Sequence, residues 1–237
     1  MKIIELKLFT NQLEKQKEFF LKLMEFELFD ENNNEFCIKI GWSKLRFIKS
    51  ETIHTYHYCF LIPSNKLLES LEWINNKTKT IEIENGKRII HFEDWNADSF
   101  YFFDGGGNIA EFIVRHDLKN KTNAEFDLNL VLCINEIGLG TNDIEKVNKQ
   151  LEEKIGTKFY KGNLNRFGTN GSAEGIFLIP NYNLKETWFP TEIKIKPEPF
   201  ECIIENNSKK YNVIYRDGEL TTSKVDNYQT NYIQNEI

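Results

Sequence analysis

Eleven residues near the start of the chain, Glu5-Leu6-Lys7-Leu8-Phe9-Thr10-Asn11-Gln12-Leu13-Glu14-Lys15, return in its second half as Glu136-Ile137-Gly138-Leu139-Gly140-Thr141-Asn142-Asp143-Ile144-Glu145-Lys146, and six of the eleven positions are identical. Self-similarity of this kind means that one supersecondary unit is used more than once, and such units bury their apolar faces by stacking on their copies. Both copies change period at the same point. Residues 3–10 alternate as a strand, after which Leu13, Phe20, Leu23 and Met24 fall at helical spacing with Phe19 alongside. In the second copy Ile144, Val147, Leu151 and Ile155 form the inward stripe of a helix that ends at Gly156.

Strand signals follow each helix. Phe36, Ile38 and Ile40 alternate with Cys37 and Lys39, residues 41–44 supply a turn, residues 45–48 resume as a strand, and residues 27–29 form a further short strand. A second unit opens with an apolar strand at 57–62, turns into a helix at Pro63-Ser64-Asn65 with Leu67, Leu68, Leu71 and Ile74 inward, and continues as strands at 80–84, 88–92, 99–103 and 109–114. The last two flank Asp104-Gly105-Gly106-Gly107-Asn108, whose glycines reach the left-handed conformations of a tight hairpin. The expected organisation is an α+β chain. Residues 1–116 form two βαβββ modules and 117–127 a polar Lys/Asn-rich linker. Residues 128–216 form a third, diverged module with strands around Phe159, Ile176, Cys202 and Val213, and 217–237 a mobile Thr/Asn/Gln-rich tail.

Composition narrows the function classes. With 36 acidic and 30 basic residues the net charge is −6, and no Lys/Arg-rich block interleaves with aromatics, which excludes nucleic acid as the expected partner. No apolar run approaches the ~18 residues of a membrane span. The start, Met1-Lys2-Ile3-Ile4-Glu5, carries no basic and apolar leader, so a cytoplasmic location is expected. Cys37, Cys59, Cys133 and Cys202 are scattered without a CxxC pair and read as reduced and buried. Nineteen Phe and nine Tyr supply ample aromatic material for a core or a pocket.

Three segments carry a family resemblance: Thr10-Asn11-Gln12-Leu13-Glu14, Phe19-Phe20, and Asp104-Gly105-Gly106-Gly107-Asn108-Ile109-Ala110-Glu111. They resemble the vicinal oxygen chelate superfamily of glyoxalases, bleomycin-resistance proteins and extradiol dioxygenases. Its modules open with a strand and an Asp- or Asn-capped helix ending in Phe-Tyr, and close with an Asp-Pro-Asp-Gly-Asn turn before a Glu. The resemblance implies repeated βαβββ modules forming a curved, mostly antiparallel sheet around a cavity. It also implies a divalent metal held by side chains of the modules' first and last strands. Carried over by position, the metal ligands fall on Glu5, His57 and Glu111. Glu replaces the usual first-strand His or Gln, Gly105-Gly106 replace Pro-Asp, and strand 45–48 lacks a fourth ligand, which disfavours a standard glyoxalase I. Glu136 stands where Glu5 stands in the repeat, but the third module offers no matching His, so a structural role and no second metal site are expected there.

Two carboxylates and an imidazole suit Fe(II), Mn(II), Ni(II) or Zn(II). By alternation Glu5 shares a strand face with Lys7 and Phe9, His57 with Cys59 and Leu61, and Glu111 with Ile109 and Ile113. Without the resemblance, the same residues read rather as solvated glutamates and a hydrogen-bonded core histidine; the resemblance brings the two readings level. His91, beside Arg88, and Tyr101 are further candidates for acid/base work, whereas His54 and His116 read as solvent-facing, and Trp95 and Phe103 as core or pocket aromatics. The function implied is a glyoxalase- or extradiol-dioxygenase-like use of a metal to chelate vicinal oxygens of a small molecule. The alternative is a metal-free binding protein of the bleomycin-resistance type, for which a homodimer is one arrangement.

Overall fold

The computed structural model describes residues 1–225. A mixed α+β architecture of two curved sheets results. The first module runs β1 (Lys2–Thr10), α1 (Leu13–Lys17) prolonged by a π-helical stretch Glu18–Leu23, β2 (Leu28–Asn32), β3 (Glu35–Ile40) and β4 (Ser43–Lys49). The second runs β5 (His57–Leu61), α2 (Leu67–Asn75), β6 (Ile90–Phe92), β7 (Ala97–Phe103) and β8 (Ile109–Arg115). A third runs β9 (Cys133–Gly138), α3 (Ile144–Ile155), β10 (Phe159–Gly162), β11 (Phe167–Ser172) and β12 (Gly175–Pro180). In each, the first strand pairs in parallel with the last, β1 with β4, β5 with β8, and β9 with β12. That pairing needs the intervening helix as a crossover. Residues 80–84 contribute only isolated bridges, at Thr80 and Glu84, in place of a strand.

The remaining strands, β13 (Phe200–Asn206), β14 (Lys209–Arg216) and β15 (Glu219–Lys224), form an antiparallel meander without a helix. Only residues 133–180 of the span 128–216 therefore close a βαβββ unit. The meander joins the first module across β1–β13, giving the order β15-β14-β13-β1-β4-β3-β2. The second and third modules share the other sheet, β10-β11-β12-β9-β5-β8-β7-β6. The two modules of residues 1–116 thus lie in different sheets. The tail expected from 217 begins with β15, and its residues 226–237 lie outside the described residues.

One face of each sheet packs into a common core, where Leu6, Leu8 and Phe47 of the first sheet meet Phe60, Phe112, Ile134 and Phe177 of the second. Burial of large aliphatic and aromatic side chains at roughly 25 cal/mol per Å² drives this layering. The second sheet's central strands β5, β8 and β12 are buried at every position, so apolar residues fill both faces, interrupted by His57, Glu111 and Arg115. All four cysteines are buried and free. Among the described residues no helix is long and apolar enough to cross a membrane.

The glycine turn 104–108 explains one departure from the family pattern. Asp104 is buried and its carboxylate accepts from Gln16 Nε2 at 2.9 Å, Tyr58 Oη at 2.8 Å and the backbone N–H groups of Gly106 and Asn108 at 2.9 Å each. A Cβ on Gly105 would collide with the Lys15 carbonyl, and one on Gly106 would meet Gln16 Nε2 at 2.5 Å. Helix α1 docks so closely on this hairpin that larger residues are excluded.

In α3, Asp143 caps the N-terminus by accepting from the Lys146 N–H at 2.9 Å, and Gly156, at φ 70°, closes the C-terminus in the left-handed region. Asp143→Ala is expected to lower stability by about 1 kcal/mol, read as a shift in the urea midpoint.

Candidate functional site

Pairing in the second sheet sets a row of residues side by side. Tyr101 lies opposite Glu111, Glu111 opposite Cys59, Cys59 opposite Glu136, and Glu136 opposite Ile176. Cross-strand partners share a sheet face, and His57, two residues before Cys59 on β5, shares it too. His57, Glu111 and Glu136 therefore converge on the face turned away from the common core, with one ligand-type atom of each within 4.8 Å of the others. All three are buried, at 5%, 2% and 4% exposure. Uncompensated charge at that depth is costly, so the cluster requires partners.

Some of those partners are visible. His57 Nδ1 lies 3.2 Å from the Ile109 carbonyl oxygen, which can only accept, so this nitrogen carries the proton. That leaves Nε2 aimed at Glu111 Oε2, 3.3 Å away. The register slips between Cys59 and Phe60 against β9, and Asn135 and Glu136 sit at that bulge. Arg115, at 1% exposure, donates from Nε to Asn135 Oδ1 at 2.9 Å and from Nη2 to Glu136 Oε1. Burial pushes the Glu136 carboxyl up to about 7, against the pull of Arg115. Burial and the neighbouring Glu111 likewise raise Cys59 well above the usual thiol range, so it remains a neutral thiol, and burial keeps the Tyr101 phenol protonated.

A cavity of about 310 Å³ opens over this face. His57, Glu111, Glu136, Tyr101 and Ile113 line it from the sheet, together with Leu178 on β12. Phe92, Trp95 and Phe167 form side walls, and Trp188 and Phe189 come from the 181–199 segment that leads from β12 to β13. Trp188 lies tilted against His57 with ring centroids 5.1 Å apart, and Phe189 meets Tyr101 edge to face at 5.7 Å. Gly138 permits this approach, because a Cβ there would stand 2.5 Å from the Trp188 ring.

The sequence-derived ligand set is therefore divided. His57 and Glu111 meet, whereas Glu5 is in the other sheet. Arg46 donates to Glu5 from Nε at 2.9 Å and to Asp30 and Glu35 from Nη1 at 2.6 and 2.8 Å. Glu5 is thus held by Arg46 within a four-residue ion cluster, and Glu136, its repeat equivalent, stands beside His57 and Glu111. Tyr101 lines the cavity, while His91 is exposed and paired with Asp98 at 2.8 Å. His116 also bonds Asp98, and His54 bonds Glu198. Sequence reasoning missed Arg115, Trp188 and Phe189; the signal for Glu136 was present in the repeat itself.

No protein-family model and no curated protein matches the chain. Among solved structures, a glyoxalase I mutant from Zea mays superposes over 94% of this chain and 92% of its own, at 9% identity and a TM-score of 0.51. The chain has the vicinal oxygen chelate fold. A lactoylglutathione lyase from Agrobacterium tumefaciens, at 15% identity and a TM-score of 0.40, covers 47% of this chain with 92% of its own. A glyoxalase/bleomycin resistance protein/dioxygenase from Nocardioides, also at 15% and 0.40, covers 53% with 89%. In the vicinal oxygen chelate fold of this chain, the cavity belongs to the pairing of the second and third modules, not to that of the first and second.

Proposed function

We propose that this chain binds a divalent metal through His57 Nε2, Glu111 and Glu136 and uses it to hold vicinal oxygens of a small molecule in the adjoining cavity. The observation that carries the reading is the convergence of three buried acceptor atoms within 4.8 Å, with Nε2 and a carboxylate oxygen facing each other at 3.3 Å. Facing lone pairs repel unless a cation or a proton lies between them. The donor set fits a cation: the Ile109 carbonyl holds the imidazole in the tautomer that bares Nε2, as second-shell acceptors do for metal-binding histidines. Arg115 occupies only Oε1 of Glu136, leaving Oε2 free. Across the row the neighbours are Ile176 and Leu178, so the protein contributes three ligands and leaves positions open.

Bound there, a metal supplies Lewis-acid polarisation of substrate oxygens. The chain's own groups do the rest. The aromatic walls exclude water and strengthen every charge interaction inside. Burial raises the Glu136 carboxyl, so Glu136 gives up a proton when a cation binds at Oε2. Tyr101, kept protonated, can donate a hydrogen bond to a ligand oxygen.

The Arg115–Glu136 ion pair favours a second reading, in which the cavity sequesters a small molecule without metal, because one of the two carboxylate charges is already met. Elemental mass spectrometry on freshly purified protein separates the two. Near-stoichiometric Fe, Mn, Ni or Zn, lost in His57→Ala and Glu111→Ala but retained in Glu5→Gln, is the expected result. Absence of metal in the parent protein even after reconstitution leaves the metal-free reading.

A further inference from the structure

The cavity has two poles. Its floor carries His57, Glu111 and Glu136, and its rim carries two cations, Arg166 and Lys185. Neither cation has a carboxylate partner among the described residues. Arg166 Nε donates to the Leu184 carbonyl at 3.3 Å, and Lys185 Nζ donates to the Thr187 carbonyl at 2.9 Å. Both bonds are to backbone acceptors, so two positive charges, Arg166 exposed and Lys185 half-buried, face one cavity with no carboxylate paired to either among the described residues. Burial and the charge of Arg166 together lower the pKa of the Lys185 ammonium, as expected of like charges held close in a partly desolvated place. An arrangement that disfavours its own charge state is relieved by an anion between the two groups.

Aromatic rings occupy the space between the poles. Tyr101, Phe189 and Phe92 form a connected set, with Phe189 5.7 Å from Tyr101 and 6.3 Å from Phe92, and Trp188 joins it through His57. At about 310 Å³ the cavity is at the small end of the roughly 300–1,000 Å³ typical of small-molecule sites, which fits a single ring and not a long chain.

We propose that Arg166 and Lys185 bind the anionic end of a single-ring aromatic acid whose neighbouring ring oxygens face His57, Glu111 and Glu136. The assignment deepens the function proposed above and rests on this cavity being its ligand site. The two rim cations are specificity-determining residues: they select a carboxylate over its neutral analogue and take no part at the oxygens.

Trp95 and Trp188 line the cavity, so intrinsic fluorescence of the full chain reports occupancy without any turnover. Titration with 3,4-dihydroxybenzoate, its methyl ester, catechol and benzoate, each with and without Mn(II), tests the assignment. The acid is expected to bind at least about tenfold tighter than its ester, a difference of about 1.4 kcal/mol. Arg166→Gln and Lys185→Gln are each expected to remove most of that preference while leaving catechol binding unchanged. Both residues are at the rim and outside the core, so these variants keep the fold. Equal affinity for acid and ester, a preference that survives in both variants, or no binding by any of the four probes overturns the proposal. His57→Ala distinguishes it from the metal reading. If benzoate still depends on Arg166 and Lys185 while His57→Ala leaves dihydroxybenzoate unaffected, the anion site stands and the metal reading falls. If His57→Ala abolishes catechol binding and no charge preference exists, the metal reading stands and the anion site falls.

Discussion

Arg115→Met is expected to destabilise the protein by about 3–5 kcal/mol, the range for removing one partner of a buried ion pair. Arg115 is fully enclosed, its Nε satisfies Asn135 Oδ1 and its Nη2 satisfies Glu136 Oε1. Methionine fills comparable volume without a donor, so two buried acceptors lose their partner, and the Glu136 carboxyl, already raised by burial, loses the cation that favours its charged form. Urea unfolding of the single variant, of Glu136→Gln and of the double variant forms a cycle that isolates the pair. The double variant is expected to regain part of the loss, since the uncompensated charge is gone. A single-variant loss under about 1 kcal/mol would show that Glu136 finds another counter-charge, which in this cavity points to a bound cation.

Phe112→Ala is expected to cost a further 3–5 kcal/mol by itself, measured the same way. The ring is buried at the centre of an aromatic group, with Phe60 and Phe100 each 5.6 Å away, Phe102 at 5.5 Å and Phe126 at 6.1 Å. It neighbours Glu111 on β8 but points to the opposite face, into the core shared by both sheets. Loss of stability with metal content unchanged per folded molecule is the expected outcome. Loss of metal in the folded fraction would contradict the division of β8 into a core face and a site face.

Much of the local architecture was legible in the residues. Period-two alternation located β1 and β3, an apolar run located β5, the glycine turn set off β8, helical spacing located α1, α2 and α3, and Asp143 and Gly156 marked the ends of α3. Strands were misjudged where local signal and tertiary pairing diverge. Residues 80–84 have strand composition, yet the stretch meets its neighbours only through isolated bridges. Residues 219–224 read as a polar tail because an edge strand such as β15 buries little of its surface, and its pairing with β14 runs through backbone groups that any sequence supplies.

The candidate site was half legible, and the reason lies in the repeat. Alternation tells which residues of a strand share a face, so the sequence by itself determined that His57 and Cys59 point together and that Glu5 and Glu136 occupy equivalent places. It did not determine which strand lies opposite each glutamate. Glu5 faces Ile203 on β13 and Lys44 on β4, with Arg46 closing on its carboxylate, whereas Glu136 faces Cys59 on β5, next to His57 and across from Glu111. Two copies of one local motif acquire different chemistry from different non-local partners. The pairing of the second module with the third, the bulge at Asn135 and Glu136 that receives Arg115, and the 181–199 segment that sets Trp188 over His57 arise from contacts between residues far apart in sequence. Only the tertiary structure decides such contacts, because strand pairing depends on which apolar faces can be buried together, not on the alternation within any one strand.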